Sequence, residues 1–435
     1  MTALPTTATD AGQRMHALAV QLYPYCRSIT GTGVRATLRT LAESVPVEIH
    51  EVPSGTAVLD WVVPDEWNIE DAFIATSGGE RLVDFRESNL HVVSYSERVR
   101  AEMTLEELLP HLHTHPTNAD WVPYRTSYYS RDWGFCLSQR QLERLEDESS
   151  FVVEIDSTLE PGSLTYGELY LPGDTETEVL VSTHVCHPSL ANDNLSGIVL
   201  LAELAALLAA TPHRLSYRFV FVPGTIGSIT WLARNLDTVG RIGAGLVVAC
   251  VGDSGPITYK RSRHGDAVVD RAAAHVVAQR GGRVLDFVPW GWDERQYNSP
   301  GFDLPVGCLT RSLDGEFAEY HSSADDLDLV GPEALEESLR AALSVVEVLE
   351  HDATYENLSP HGEPQLGRRG LYRAVGGTDP GTRQLALLWM LNQSDGSSSV
   401  LDVAERSRLS FSELDAAACD LREAGLLDAR GWSLP

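Results

Sequence analysis

The sequence predicts an α/β fold built on a mixed, largely parallel sheet, and three observations predict it. Short apolar strands take turns with helical stretches between residues 179 and 351, the pattern of a sheet with helices on both faces. Polar residues able to do chemistry follow those strands directly, at the carboxyl edge where open α/β sheets keep their sites. At 435 residues the chain is long for a single core, so further units are expected beside the sheet.

In chain order, residues 11 to 45 read as two helices around a Gly-containing turn, and Pro46 ends the second. Residues 47 to 52 alternate as a strand. From 57 to 145 short extended runs such as AVLDWVV and NLHVVSYS are broken by turn residues and carry many aromatics, among them Trp61, Tyr124, Tyr128 and Tyr129. This composition reads as an inserted β-rich domain, dividing a catalytic domain into residues 1–56 and 146–358. Residues 151–154 and 164–171 are expected to pair as a hairpin around the turn Glu160-Pro161-Gly162. Strand 179–181 then leads to helix 195–210, strand 217–222 to helix 228–235, and strand 245–251 to a Gly-Asp turn before helix 266–279. A strand near 305–310 and an amphipathic helix over 332–351 close the unit. A Gly- and Pro-rich linker, roughly 359 to 381, precedes helices at 383–392, 399–407 and 411–424 and a wing at 426–432. That order is a winged helix-turn-helix domain, placed at 375–435.

Lys and Arg number 33 against 62 Asp and Glu, a formal charge of −29. A surface so acidic repels nucleic acid phosphates and anionic membranes, so neither is an expected partner. The amino-terminal stretch lacks the basic flank and apolar run of a signal peptide, and no run of about 18 apolar residues follows, so the expected location is the cytoplasm. The six cysteines are scattered without CxxC pairs and are expected to be reduced thiols. Cys186 lies between His184 and His187, and alternation along an extended segment points it toward the core.

The stretch VLVSTHVCHPSLANDNLSGIVLLAELAALL carries the strongest chemical signal. A strand enters a polar turn holding His184, His187 and Asp193, and an apolar helix follows at once. Pro188 stops the turn from continuing as helix, and Asp193 at the helix start is favoured as a carboxylate. Two imidazoles and a carboxylate within ten residues suit zinc. Asp253 follows the run GLVVACV, His321 lies in EYHSSADDL just ahead of the closing helix, and Asp293 and Glu294 sit in the turn WGWDERQY. Together these gather carboxylates and imidazoles on one sheet edge, as a hydrolytic zinc site requires.

ANDNLSG after a strand ending in His, a downstream strand ending in Asp, and a late His before the last helix resemble the zinc aminopeptidases of the bacterial leucyl aminopeptidase and glutaminyl cyclase superfamily. The stretches CRSITGTGVRATL, VPSGTAVLDWVVPDEWNI, SNLHVVSYS, VPYRTSYYSRDWGFCLS and DERQYNSPGFDLPVG resemble an uncharacterised bacterial branch with an inserted β-rich domain and a carboxyl-terminal winged helix. The resemblance implies a zinc-peptidase-like α/β/α sandwich. It also implies Asp193 as the bridging carboxylate, Asp253 as the second Asp, His321 as the late His, and His184 or His187 as the first, His187 being preferred. Gly224, in VPGTIGSITW, stands where the superfamily has a glutamate.

The function implied is zinc-dependent hydrolysis of an amide or peptide bond near a free amine, in a small molecule or short peptide, with one zinc ion rather than two. Glu294 or Asp293 is the expected proton acceptor, and Arg295, Tyr297, Glu319 and Tyr320 are candidates for substrate contact. The rival reading is a non-catalytic or regulatory protein whose degraded site binds a ligand or partner. A homo-oligomer is left open.

Overall fold

A computed structural model describes residues 10–313, 315–371 and 381–434. Its centre is an eight-stranded sheet, and the chain order of that sheet explains where the site lies. The strands run in the order 48–53, 163–171, 216–222, 178–184, 242–248, 306–310, 258–260 and 283–285. The four from Ser216–Val222 to Val306–Thr310 are mutually parallel, while Glu48–Pro53 and Ser163–Leu171 add antiparallel strands at one side. On the other side Thr258–Lys260 runs antiparallel to its neighbour. The sheet is therefore mixed, with a parallel centre whose carboxyl ends face one way.

Strand Glu178–His184 is buried along its whole length, as a central parallel strand should be. Its alternate residues serve two cores: Val179 and Val181 join the cluster under helices Ala11–Leu22, Gly197–Ala209, Val268–Gln279 and Pro332–His351. Leu180 joins the cluster that holds helix Ile226–Arg234 and the inserted β-rich module. Two helical layers thus enclose the sheet, the α/β/α sandwich the sequence predicts. The stretch Ala191–Ala209 is long and apolar enough to cross a membrane, yet it is packed inside this fold. Pro332 opens the closing helix at a position where its missing N–H costs nothing.

The inserted module has its own four-stranded antiparallel sheet, in the order 81–84, 66–76, 151–160 and 99–103. Strand Phe151–Glu160 pairs with Glu66–Thr76 and Val99–Met103, whereas Ser163–Leu171 pairs in the main sheet. The hairpin expected around Glu160-Pro161-Gly162 is therefore absent. The turn instead carries the chain from one sheet to the other, so the module's sheet reaches past the expected limit at 145.

At the carboxyl end, helices Gly381–Gln393, Val400–Ser407 and Phe411–Glu423 and strand Leu427–Trp432 form the winged helix. Ser399 with Asp402, and Ser410 with Glu413, close reciprocal capping boxes that start its last two helices. Its three-stranded sheet takes its central strand from Ala353–Asn357, directly after the closing helix. The sequence reading had left those residues in the catalytic unit. Of the expected linker between 359 and 381, residues 372–380 lie outside the described residues, and Leu366–Arg369 form one turn of 3-10 helix. The winged helix packs on the sandwich through an apolar core continuous with the closing helix, reinforced by Arg271 pairing with Asp402 and Glu405.

Candidate metal centre

The loop after strand Glu178–His184 is shaped by its own polar side chains. Asn194 donates to Thr183 Oγ1 at 2.7 Å and to the His184 carbonyl at 3.1 Å, and its oxygen accepts the Cys250 N–H at 3.2 Å. The Asn192 oxygen accepts the Gly252 N–H at 2.9 Å. Asp325 accepts the backbone N–H groups of Asn192 at 2.5 Å and Asp193 at 2.9 Å. Arg27, buried, donates to the carbonyls of His187 and Pro188, each at 2.7 Å. Every group around the turn is thus committed, and Asp193 is left aimed at the imidazoles.

His184 Nε2 lies 2.8 Å from one Asp193 oxygen, and His321 Nε2 lies 3.1 Å from the other. His187 Nε2 approaches that second oxygen at 3.9 Å. His184, His187 and Asp193 offer ligand atoms all within 4.8 Å of one another. Burial drives the His187 imidazole pKa down to about 3, so it is neutral and able to bind metal. Burial opposes ionisation of Asp193, but His187 and the hydrogen bonds from His184 and His321 hold its carboxyl well below the usual range. Imidazoles converging on an ionised carboxylate are the donor set of a transition-metal site. The structure therefore brings both candidate histidines, His184 and His187, to Asp193.

Asp253 is not part of this group. Its oxygens accept from Asn192 Nδ2 at 2.7 Å, the Gly255 N–H at 2.6 Å and the Ser312 hydroxyl at 3.0 Å, so it braces two loops beneath the turn.

The centre opens into a cavity of about 390 Å³. Asp293 stands on its wall. One of its oxygens accepts the Thr225 N–H at 2.7 Å and the Ser228 hydroxyl at 2.9 Å, while the other is buried without a hydrogen-bond partner. Burial pushes its carboxyl pKa above the ordinary value. Glu294 is fully buried against the ammonium of Lys260 and does not line the cavity. Its ion pair holds it off the cavity wall, which Asp293 lines.

Of the residues expected to touch substrate, Tyr320 lines the cavity and stacks on His321 with ring centroids 4.0 Å apart. Tyr297 is buried in the core with its hydroxyl 2.8 Å from Ser182. Arg295 lies behind the wall, donating to Thr225 Oγ1 at 3.3 Å. Glu319 uses its carbonyl to hold Ser322, and its side chain is not on the wall. Cys186 is buried as expected, yet its sulfur also borders the cavity and accepts the Gly224 N–H at 3.1 Å. A side chain at Gly224 would begin 3.2 Å from that sulfur and 3.8 Å from His184 Cβ.

The sequence alone does not say whether the aromatic insert lies over the site. Trp61, Tyr124, Tyr128 and Tyr129, all from the inserted module, cover the metal centre. Their density in the insert was visible, but nothing in their spacing tied them to histidines in another unit. A larger cavity, about 740 Å³, lies at the base of the winged helix among Leu385, Leu388 and Trp389. It shares no residue with the metal centre and holds no imidazole, so size does not mark the chemistry here.

Residues 16–352 match a family described as a domain of unknown function (DUF4910), and residues 353–429 match a winged helix-turn-helix. A Clostridium acetobutylicum protein, provisionally described as a polysaccharide biosynthesis protein with an aminopeptidase-like domain, is 49% identical over 423 residues, 97% of each chain. A Clostridium acetobutylicum crystal structure, provisionally called a peptidase, is 47% identical with a TM-score of 0.91, covering 97% of this chain and 98% of that one. A zinc aminopeptidase from Bacillus subtilis superposes with a TM-score of 0.56 at 14% identity, over 80% of this chain and 96% of that one. A peptidase M28 precursor from Shewanella amazonensis gives 0.52 at 14%, over 79% and 93%. The last two establish the aminopeptidase fold.

Proposed function

We propose that this chain, which belongs to the family described as a domain of unknown function (DUF4910), is a zinc-dependent hydrolase of an amide bond near a free amine. The observation that carries the reading is the arrangement of two carboxylates across one cavity. Asp193 is surrounded by three imidazoles, and Asp293 stands opposite with one buried oxygen unpartnered. The fold it shares with zinc aminopeptidases supports zinc as the metal.

His184, His187 and Asp193 would hold one ion, with His321 at the second Asp193 oxygen. Zinc, when bound, supplies Lewis-acid polarisation of a carbonyl and lowers the pKa of water. Asp293 then takes the proton released as water adds to the amide carbon and delivers it to the departing amine. Its raised pKa suits both halves of that task.

The absence of a glutamate at Gly224 favours the rival reading of a degraded site. Asp293 weakens that objection, because it is bonded to the N–H of the very next residue, Thr225. The substrate is a small molecule or short peptide carrying a free amine. The Clostridium relative's description suggests a building block of a polysaccharide. The six free cysteines fit a reducing cytoplasm.

Elemental analysis of protein grown in zinc-replete medium tests the reading. About one equivalent of zinc is expected, lost on treatment with a chelator. Less than about a tenth of an equivalent of any transition metal would overturn it.

A further inference from the structure

We infer that the inserted β-rich module completes the metal centre, with Tyr124 as the residue that positions His187 and His321. The inference rests on the metal reading above and extends it to residues outside the ligand set.

His321 occupies the left-handed region at φ +53°. For a residue with a Cβ this conformation is strained and persists only where the surroundings over-determine it. Here the insert supplies those surroundings. Pro123 and Ser322 form an antiparallel bridge between the module and the late-His loop. On either side of it, the Tyr124 N–H donates to the His321 carbonyl at 2.7 Å and the Ser323 N–H to the Val122 carbonyl at 2.8 Å. The Val122 N–H adds a bond to Ser323 Oγ at 3.0 Å. A short ribbon, one edge from each unit, thus fixes the backbone on both sides of His321.

The rings are fixed as well. The Tyr124 ring meets His187 and His321 edge-on, both centroids 5.2 Å away, while those two imidazoles lie 5.3 Å apart. Tyr320 stacks on His321 at 4.0 Å, so that imidazole is gripped between two tyrosines. Tyr124 is itself buried, and its hydroxyl meets that of Tyr128 at 3.0 Å. The partners that orient metal ligands from behind typically govern affinity by 10- to 100-fold, so roughly that loss is expected when Tyr124 is removed. Tyr124 reaches the metal only through the imidazoles, which makes it a positioning residue.

The test is zinc affinity, measured by competition with a chromophoric chelator on the full chain, for the parent, Tyr124→Phe, Tyr124→Leu, His321→Ala and the Tyr124→Leu/His321→Ala double variant. Tyr124→Phe keeps the ring and should stay within about threefold of the parent; Tyr124→Leu should lose about 10- to 100-fold. The double variant should lose less than the two single losses combined, because part of the effect of Tyr124 passes through His321. A Tyr124→Leu protein that melts as the parent does and binds zinc within about threefold of it overturns the inference, as does strict additivity in the double variant. If Tyr124→Leu does not fold, a Tyr124→Phe loss of tenfold or more would also overturn it, by assigning the effect to the hydroxyl. A parent that takes up no zinc at all is a different outcome, which removes the metal reading itself.

Discussion

Replacing Asp293 by Asn separates catalysis from structure at a single atom. The Asn carbonyl can keep both bonds that hold the side chain, from Thr225 N–H at 2.7 Å and Ser228 hydroxyl at 2.9 Å. The atom that changes is the buried oxygen with no hydrogen-bond partner. Loss of a positioned proton acceptor typically costs about 10²- to 10⁴-fold in rate, or about 2.7 to 5.4 kcal/mol of barrier. Stability should move the other way. The folded carboxyl binds its proton more tightly than the ordinary value of 3.8, so the parent loses stability as pH rises through and above that value, and the Asn variant does not. The assay is kcat/KM of the zinc-loaded protein on an aminoacyl anilide, a neutral amide beside a free amine, with zinc content and melting temperature measured in parallel. Asp293→Asn should retain zinc, melt at or above the parent temperature and lose at least 100-fold in kcat/KM. Glu294→Gln provides the opposite pattern: it strands the buried Lys260 ammonium, a loss of about 3–5 kcal/mol, while the folded fraction turns over nearly as the parent. Turnover by Asp293→Asn within about threefold of the parent, with zinc retained, would refute the reasoning.

Two further outcomes follow from the closing helix and the winged helix. His351 lies 3.0 Å from Asp415 across their contact; burial opposes its charge, yet Asp415, Glu347 and Glu350 raise its pKa above the ordinary 6.5. The stability this pair contributes is complete below 6.5 and lost as pH rises through the raised value, so melts from about pH 6 to about pH 9 should decline and His351→Gln should flatten the decline; parallel curves would contradict this. The winged helix is expected to bind random duplex DNA more weakly than about 1 μM at physiological salt. Residues 380–435 hold five Arg against eight acidic groups, and Asp415 and Asp420 of its last helix are spent on His351 and Arg383; salt-dependent binding tighter than that limit would disprove it.

Most of the sandwich could be read from the chain because its signals are local. The closing helix shows Pro at its first turn and a long apolar face, and the last two helices show Ser-x-x-Asp and Ser-x-x-Glu starts. What escaped notice depends on partners. Strands Thr258–Lys260 and Arg283–Leu285 are three residues each, too short for any period to show, and exist because they pair with each other at the sheet edge. The false hairpin at Glu160-Pro161-Gly162 has the same origin. Two strands around a turn signal satisfy the local rule, but Phe151–Glu160 finds its partners in Glu66–Thr76 and Val99–Met103, while Ser163–Leu171 finds its own in Glu48–Pro53 and Ser216–Val222.

The metal centre divides along the same line. His184, His187 and Asp193 could be found because a strand, a turn and a helix start compress them into ten residues. Asp293 and Glu294 could not be told apart, since adjacent residues at a helix start point about 100° apart and nothing nearby says which direction is the cavity. Lys260 decides it, from one of the short strands that left no trace in the sequence pattern. With Glu294 drawn to that ammonium, Asp293 turns to the helix start after Gly224 and binds Thr225, 68 residues before it in the chain. Under the proposed function, Asp293 supplies in space the carboxylate that the resemblance leads one to expect at 224. The short strand at Thr258–Lys260 thus takes part in building the cavity: its lysine holds Glu294 off the wall that Asp293 lines.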